Sequence, residues 1–243
     1  MKNVIFIYFI LISCILNAQE KKLTWDYPVK PGTVEWKELK SHKEMVDVCQ
    51  IPTNTLSTIP TGELAQLCMN YPLFFTMTAF NNLQEGFNQV STEFNGFQEL
   101  FIRADAGVVL LEIYKKYKPK NVQVIEDLIS RGKHKYCLFF IEFTLSQQIV
   151  FEKLSNIEKR ALLSETILKT EEKSKAGFST FNKQATSLIA VRILENEPVI
   201  NQIKEEKSDK YRLFSISVLL TEKDMIDEIK NATIKYLNLS NHE

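Results

Sequence analysis

The chain is cut into short apolar stretches of helical period, most of them opened by a capping residue and closed by proline, and this punctuation limits the folds open to it. Thr33 can cap a segment reaching about Lys40. Ser41-His42-Lys43-Glu44 has the spacing of a capping box, followed by Met45, Val48 and Cys49 as an apolar face. Pro52 and Pro60 bound one short turn, and Thr61 then opens GELAQLCMN, which Pro72 stops. Asp105 can cap AGVVLLEIYKKY, which Pro119 ends. Val122, Ile125, Leu128 and Ile129 mark a further helix, with Gly132 placed as its C-terminal stop.

Ser155-Asn156-Ile157-Glu158 is a second capping box, and Ile157, Ala161, Ser164 and Leu168 align behind it. Its polar continuation, KTEEKSKAG, reads as an exposed loop. Ser179 starts a helix with Phe181, Ala185, Leu188 and Ile189 inward, and Tyr211 to Leu220 forms another apolar segment. Met225, Ile226, Ile229, Thr233, Tyr236 and Leu237 follow the helical period closely. The run YCLFFIEFTL, residues 136–145, suits a strand by its β-branched and aromatic content and a buried helix by its neighbours; we read it as helix. These signals, with few glycines, predict an all-α fold of roughly nine to eleven helices. Short connections imply a layered antiparallel helical array, irregular and solenoid-like, without the repeat that a tetratricopeptide or HEAT array needs.

Phenylalanine recurs every seventh residue at Phe80, Phe87, Phe94 and Phe101. Extended, this register resembles a coiled-coil seam, yet phenylalanine fits poorly between two strands of a coil, and the flanking positions lack opposed charges. Asn95-Gly96 is also a turn signal in its middle. Two successive helices turning their rings into one core is the better reading.

The first segment, MKNVIFIYFILISCILNAQ, has one lysine, an apolar run from Val4 to Leu16, then small and polar residues. That is the layout of a secretory signal peptide, too short to span a bilayer. We read residues 1–18 as the signal and Gln19 as the mature start; Leu11-Ile12-Ser13-Cys14 is the alternative, a lipobox that would leave an outer-membrane lipoprotein lipidated at Cys14. No later segment is apolar enough to span a membrane. Residues 19–32 carry Pro28, Pro31 and Gly32 and form an extended arm. Residues 33–243 form the helical domain, with a subdomain break placed near 119–134.

Removing residues 1–18 takes away only Lys2, leaving 29 Lys and Arg against 30 Asp and Glu, a net charge of about −1. No long-range field draws the protein to nucleic acid. Cys49, Cys68 and Cys137 remain, without zinc spacing; we read them as buried thiols, with a Cys49–Cys68 bridge as the rival. No nucleophile elbow, phosphate loop, dinucleotide fingerprint or H-E-x-x-H is present, so no cofactor or metal site is expected. His134 lies three residues before Cys137 and could share its helix face, but no third group orients such a dyad; a solvated histidine beside a buried thiol is the plainer reading. The basic clusters YKKYKPK at 114–120 and RGKHK at 131–135 both fall at expected helix C-termini, where the dipole favours cations, and about 15 Å of helix should separate them.

Trp25-Asp26-Tyr27-Pro28-Val29-Lys30-Pro31-Gly32-Thr33-x-x-Trp36, with Phe94-Asn95-Gly96-x-x-Glu99-Leu100-Phe101 later, resembles a group of uncharacterised secreted bacterial proteins with a similar signal peptide. The resemblance implies location outside the cytoplasm and carries no catalytic or binding residue. The expected function is a non-enzymatic extracytoplasmic binding module for a protein or cell-envelope component. The alternative is a hydrolase of cell-wall or dietary material, using carboxylates that nothing singles out; no catalytic residue is named.

Overall fold

The computed structural model describes residues 24–218 and 223–239. Among them the chain is all-α, with no strand. In order the helices are α1 (Val34–Glu38), α2 (His42–Val48), α3 (Thr53–Leu56), α4 (Thr61–Met69), α5 (Leu83–Glu93), α6 (Asn95–Ile102) and α7 (Ala106–Lys116). There follow α8 (Leu128–Leu145), α9 (Gln148–Phe151), α10 (Asn156–Lys175), α11 (Thr180–Ile193), α12 (Asn201–Glu206), α13 (Ser208–Arg212) and α14 (Lys223–Leu239). Two 3-10 segments, Phe74–Ala79 and Pro119–Gln123, join α4 to α5 and α7 to α8. The signal segment and Cys14 lie outside the described residues.

Several local signals are realised by the backbone they call for. Thr33 Oγ1 accepts from Trp36 N, and Ser155 with Glu158 forms a reciprocal capping box. Ser41 caps Glu44 N, but the Glu44 carboxylate reaches back to Lys40 N instead of Ser41 N. Asp105 makes no cap bond at α7; its Oδ1 accepts from Thr61 Oγ1 at 2.8 Å and ties α7 to α4.

The phenylalanine stretch breaks at Phe94, the joint between α5 and α6. Phe87, Phe94 and Phe97 are buried, and Phe94 stacks on Tyr71 with centroids 4.2 Å apart. Phe87 and Phe97 meet Phe143 and Phe140 of α8 at 5.1 and 5.8 Å, so one aromatic core links the two halves of the chain. Asn95 clips the joint by accepting from Ile51 N and donating to Ile51 O. Phe80 departs from the expected register and is exposed. Gly86 admits the 3-10 segment against α5, because a Cβ there would lie 2.0 Å from Met77 O. The proline-held arm lies on this core: Tyr27 is buried and its hydroxyl donates to Leu67 O at 2.8 Å.

In the C-terminal half α11 packs against α8, α10 and α14, and α10 against α14. Five expectations are corrected there. The helix expected to stop at Gly132 instead starts at Leu128, capped by Asp127, and runs through Gly132 to Leu145; nothing crowds that glycine, so it costs only propensity. Leu128 and Ile129 are exposed rather than inward. KTEEKSKAG is not a loop, since α10 continues to Lys175 and buries Lys169, Thr170 and Lys173. On α10 the inward face is Leu162, Leu163 and Thr166, leaving Ile157 and Leu168 exposed; on α11, Ala185, Leu188 and Ile189 are buried but Phe181 is exposed. The common reason is that apolar spacing sets a helical phase without saying which neighbours arrive to cover it.

Candidate functional site

Three places gather polar or accessible aromatic groups. The first is sealed. Glu142 of α8 accepts from Tyr114 Oη at 3.0 Å, Thr186 Oγ1 at 2.8 Å and Lys173 Nζ at 2.5 Å. Lys173 also donates to Asn182 O at 2.6 Å and Thr186 Oγ1 at 2.8 Å, which uses all three of its protons. Lys169 pairs with Glu165 at 3.0 Å and sits 5.0 Å from the Tyr114 ring centroid. Burial pushes the pKa of both lysines down and that of the Tyr114 phenol up. Glu142 and Lys173 reach no solvent, so this network joins α7, α8, α10 and α11 and meets no substrate.

The second is a polar cavity of about 880 Å³ between the start of α5, the α8–α9 corner and α11 to α13. At its wall Arg192 Nη2 donates to Gln84 Oε1 at 2.7 Å, Nη1 to Ser146 O at 3.2 Å and Nε to Ser215 O at 3.1 Å. Its partners are carbonyl and hydroxyl oxygens, and burial lowers its pKa to about 10. The carboxylates of this cavity are held by close neighbours: Glu195 takes Tyr211 Oη at 2.5 Å and Lys204 Nζ at 2.7 Å, and Glu152 takes Gln148 Nε2 at 2.6 Å.

The third is an apolar groove of about 620 Å³ between the end of α4, the 3-10 segment, the first half of α8 and the start of α11. Ile129, Gly132, Lys133 and Tyr136, spaced i, i+3, i+4 and i+7, form its α8 wall. Phe75, Tyr71 and Met69 line the opposite side, and Phe139 and Phe181 stack at 5.6 Å. Phe75, Phe181 and Ile129 are exposed here, and Tyr71 Oη is buried without a hydrogen-bond partner. Two lysines, Lys133 and Lys135, lie in the lining, and no carboxylate does.

No cysteine–histidine dyad assembles. His134 Nε2 meets Lys118 O at 3.0 Å, and the Cys137 thiol is buried, with its pKa raised by that burial. Cys49, Cys68 and Cys137 are free buried thiols. No helix among the described residues is long and apolar enough to cross a membrane, and no acidic, histidine or cysteine cluster among them could hold a metal.

Cluster 114–120 ends α7 as expected, with Lys115 and Lys116 in its last turn, but the placement of the other cluster and the distance between them are corrected. Cluster 131–135 sits in the N-terminal half of α8, away from the C-terminus where the dipole would favour cations. It also meets cluster 114–120, because the Tyr117 and His134 rings lie 5.4 Å apart. No family model, curated protein or solved structure matches this chain.

Proposed function

We propose that the protein is a non-enzymatic binding module acting outside the cytoplasm, and that it holds the acyl chain of an anionic cell-envelope component in the groove between α4, α8 and α11. The observation that carries this reading is an apolar groove flanked by exposed Phe75, Phe181 and Ile129. Its volume falls within the range of small-molecule sites, roughly 300–1,000 Å³. Lys133 and Lys135 in the lining, without a carboxylate, suit an anionic head. The signal-like residues 1–18 support the location. The hydrolase reading has less support, because the carboxylates of the polar cavity are committed to side chains beside them.

Titration with a fluorescent long-chain fatty acid tests the reading. Saturable binding is expected, weakened about tenfold or more by Phe181→Asp or Phe75→Asp, since each ring offers on the order of 100 Å² at about 25 cal/mol per Å². Ile157→Asp, on an exposed apolar residue outside the groove, should bind like the parent. Absence of saturable binding, or equal affinity of all variants, overturns the assignment.

A further inference from the structure

We infer that the surface built from residues 116–135 docks on an anionic lipid bilayer. Between residues 114 and 135 the chain carries seven Lys and Arg against Glu126 and Asp127, in a sequence whose totals are 30 and 30. The fold gathers this charge in one place, through the hydrogen bond from His134 to Lys118 O and the Tyr117–His134 ring contact.

Structural roles account for only part of it. Lys115 pairs with Glu112, Arg131 donates to Glu126 O, and Lys135 lies over the Phe178 ring. Lys116, Lys118, Lys120 and Lys133 have no ion-pair partner among the described residues. Of the two acidic residues, Asp127 caps α8 by accepting from Ser130 N at 2.7 Å. The dipole does not explain the α8 cations, as shown above.

Between the two clusters stand Val124, Leu128 and Ile129, at 80%, 76% and 81% exposure among the barest large apolar side chains of the described residues. Basic residues alone would suit any polyanion. Aliphatic side chains held bare among them have no use against nucleic acid or an anionic sugar chain, whereas at a bilayer they enter the boundary between headgroups and acyl chains while the lysines meet anionic lipid. Ile129 and Lys133 belong to the groove as well, so a docked bilayer would face the groove mouth. The inference goes beyond the binding reading and does not require the groove to be filled.

Co-sedimentation with phosphatidylcholine vesicles, with and without phosphatidylglycerol, tests it. The chain used starts at Gln19; the core begins at Tyr27 and is retained. Each basic residue near an anionic leaflet raises partitioning by about fivefold, so enrichment on the mixed vesicles should exceed tenfold and fall with added salt. Lys118→Glu with Lys120→Glu and Lys133→Glu should abolish that enrichment. Leu128→Ser with Ile129→Ser should remove the part that survives salt. Lys118 is half-buried and the other four side chains are exposed, and unchanged circular dichroism verifies folding. Ile157→Asp, on an exposed side chain outside both the groove and this surface, should sediment like the parent. Equal partition to both vesicle types, or sedimentation unaffected by both sets of substitutions, overturns the proposal even if an acidic protein binds the same surface. Vesicle failure alongside intact fatty-acid binding removes the docking surface alone; loss of fatty-acid binding alongside intact docking removes the groove reading alone.

Discussion

At the scale of the residue, the most consequential side chains are charges placed where water is absent. Glu142 and Lys173 are 31 residues apart in sequence, and neither would be tolerated at its position without the other. Removing one partner strands a buried charge and two oriented donors, Tyr114 Oη and Thr186 Oγ1. Glu142→Ala is therefore expected to cost about 3–5 kcal/mol, and Glu142→Gln less, because the amide oxygen keeps an acceptor. Thermal or urea unfolding ranks the two; equal stability of Glu142→Ala and the parent would show that the pair is not buried as described. The pH direction follows from Lys173. Its pKa lies below the ordinary value, so between the two values the unfolded chain binds more protons, and this group makes stability rise with pH across that window.

Elements depend on neighbours to different degrees. α10 is announced by Ser155 and Glu158, two residues three positions apart that bond each other, and this reciprocal cap was legible without any tertiary information. The arm was legible too, because prolines prevent its self-pairing and leave its rings to find a partner. Tyr27 found α4 and Phe94, and Trp25 packs on Tyr27 with centroids 4.9 Å apart. Deleting residues 19–32 should lower the melting temperature by several degrees, since burying an aromatic ring contributes a few kcal/mol less the cost of ordering the arm. A truncated chain that melts like the parent while losing a ligand would make the arm a recognition element instead. α8 was misplaced because Gly132 carries a stop signal that only an unfilled left-handed position honours, and here the helix passes through it.

For the whole molecule, the question is whether the halves on either side of residues 119–134 behave as one. The Phe87, Phe97, Phe140 and Phe143 contacts join them, and Arg192 ties Gln84 to Ser146 and Ser215. A single cooperative unfolding transition is expected. Arg192→Met should lower its midpoint by several degrees, at about 2–4 °C per kcal/mol for a chain of this size, and leave three segments with unmatched acceptors. Two separate transitions in the parent, read by calorimetry, would instead place a domain boundary near 119–134.

What the sequence alone determined is what neighbours within a few residues enforce: capped helices, the break at Phe94 and Asn95, the absence of helix from Thr24 to Gly32, and the absence of strand among the described residues. What only the tertiary structure decided is which side of each helix is covered. Periodicity places Phe181 and Leu188 on related faces of α11, but Leu188 is fully buried while Phe181, stacked on Phe139, stays partly exposed beside the groove. The same holds for charge. Lys173 and Lys133 look alike along the chain; one is sealed against Glu142 and the other faces the groove unpaired, because an ion pair forms between elements that meet only after the helices have packed.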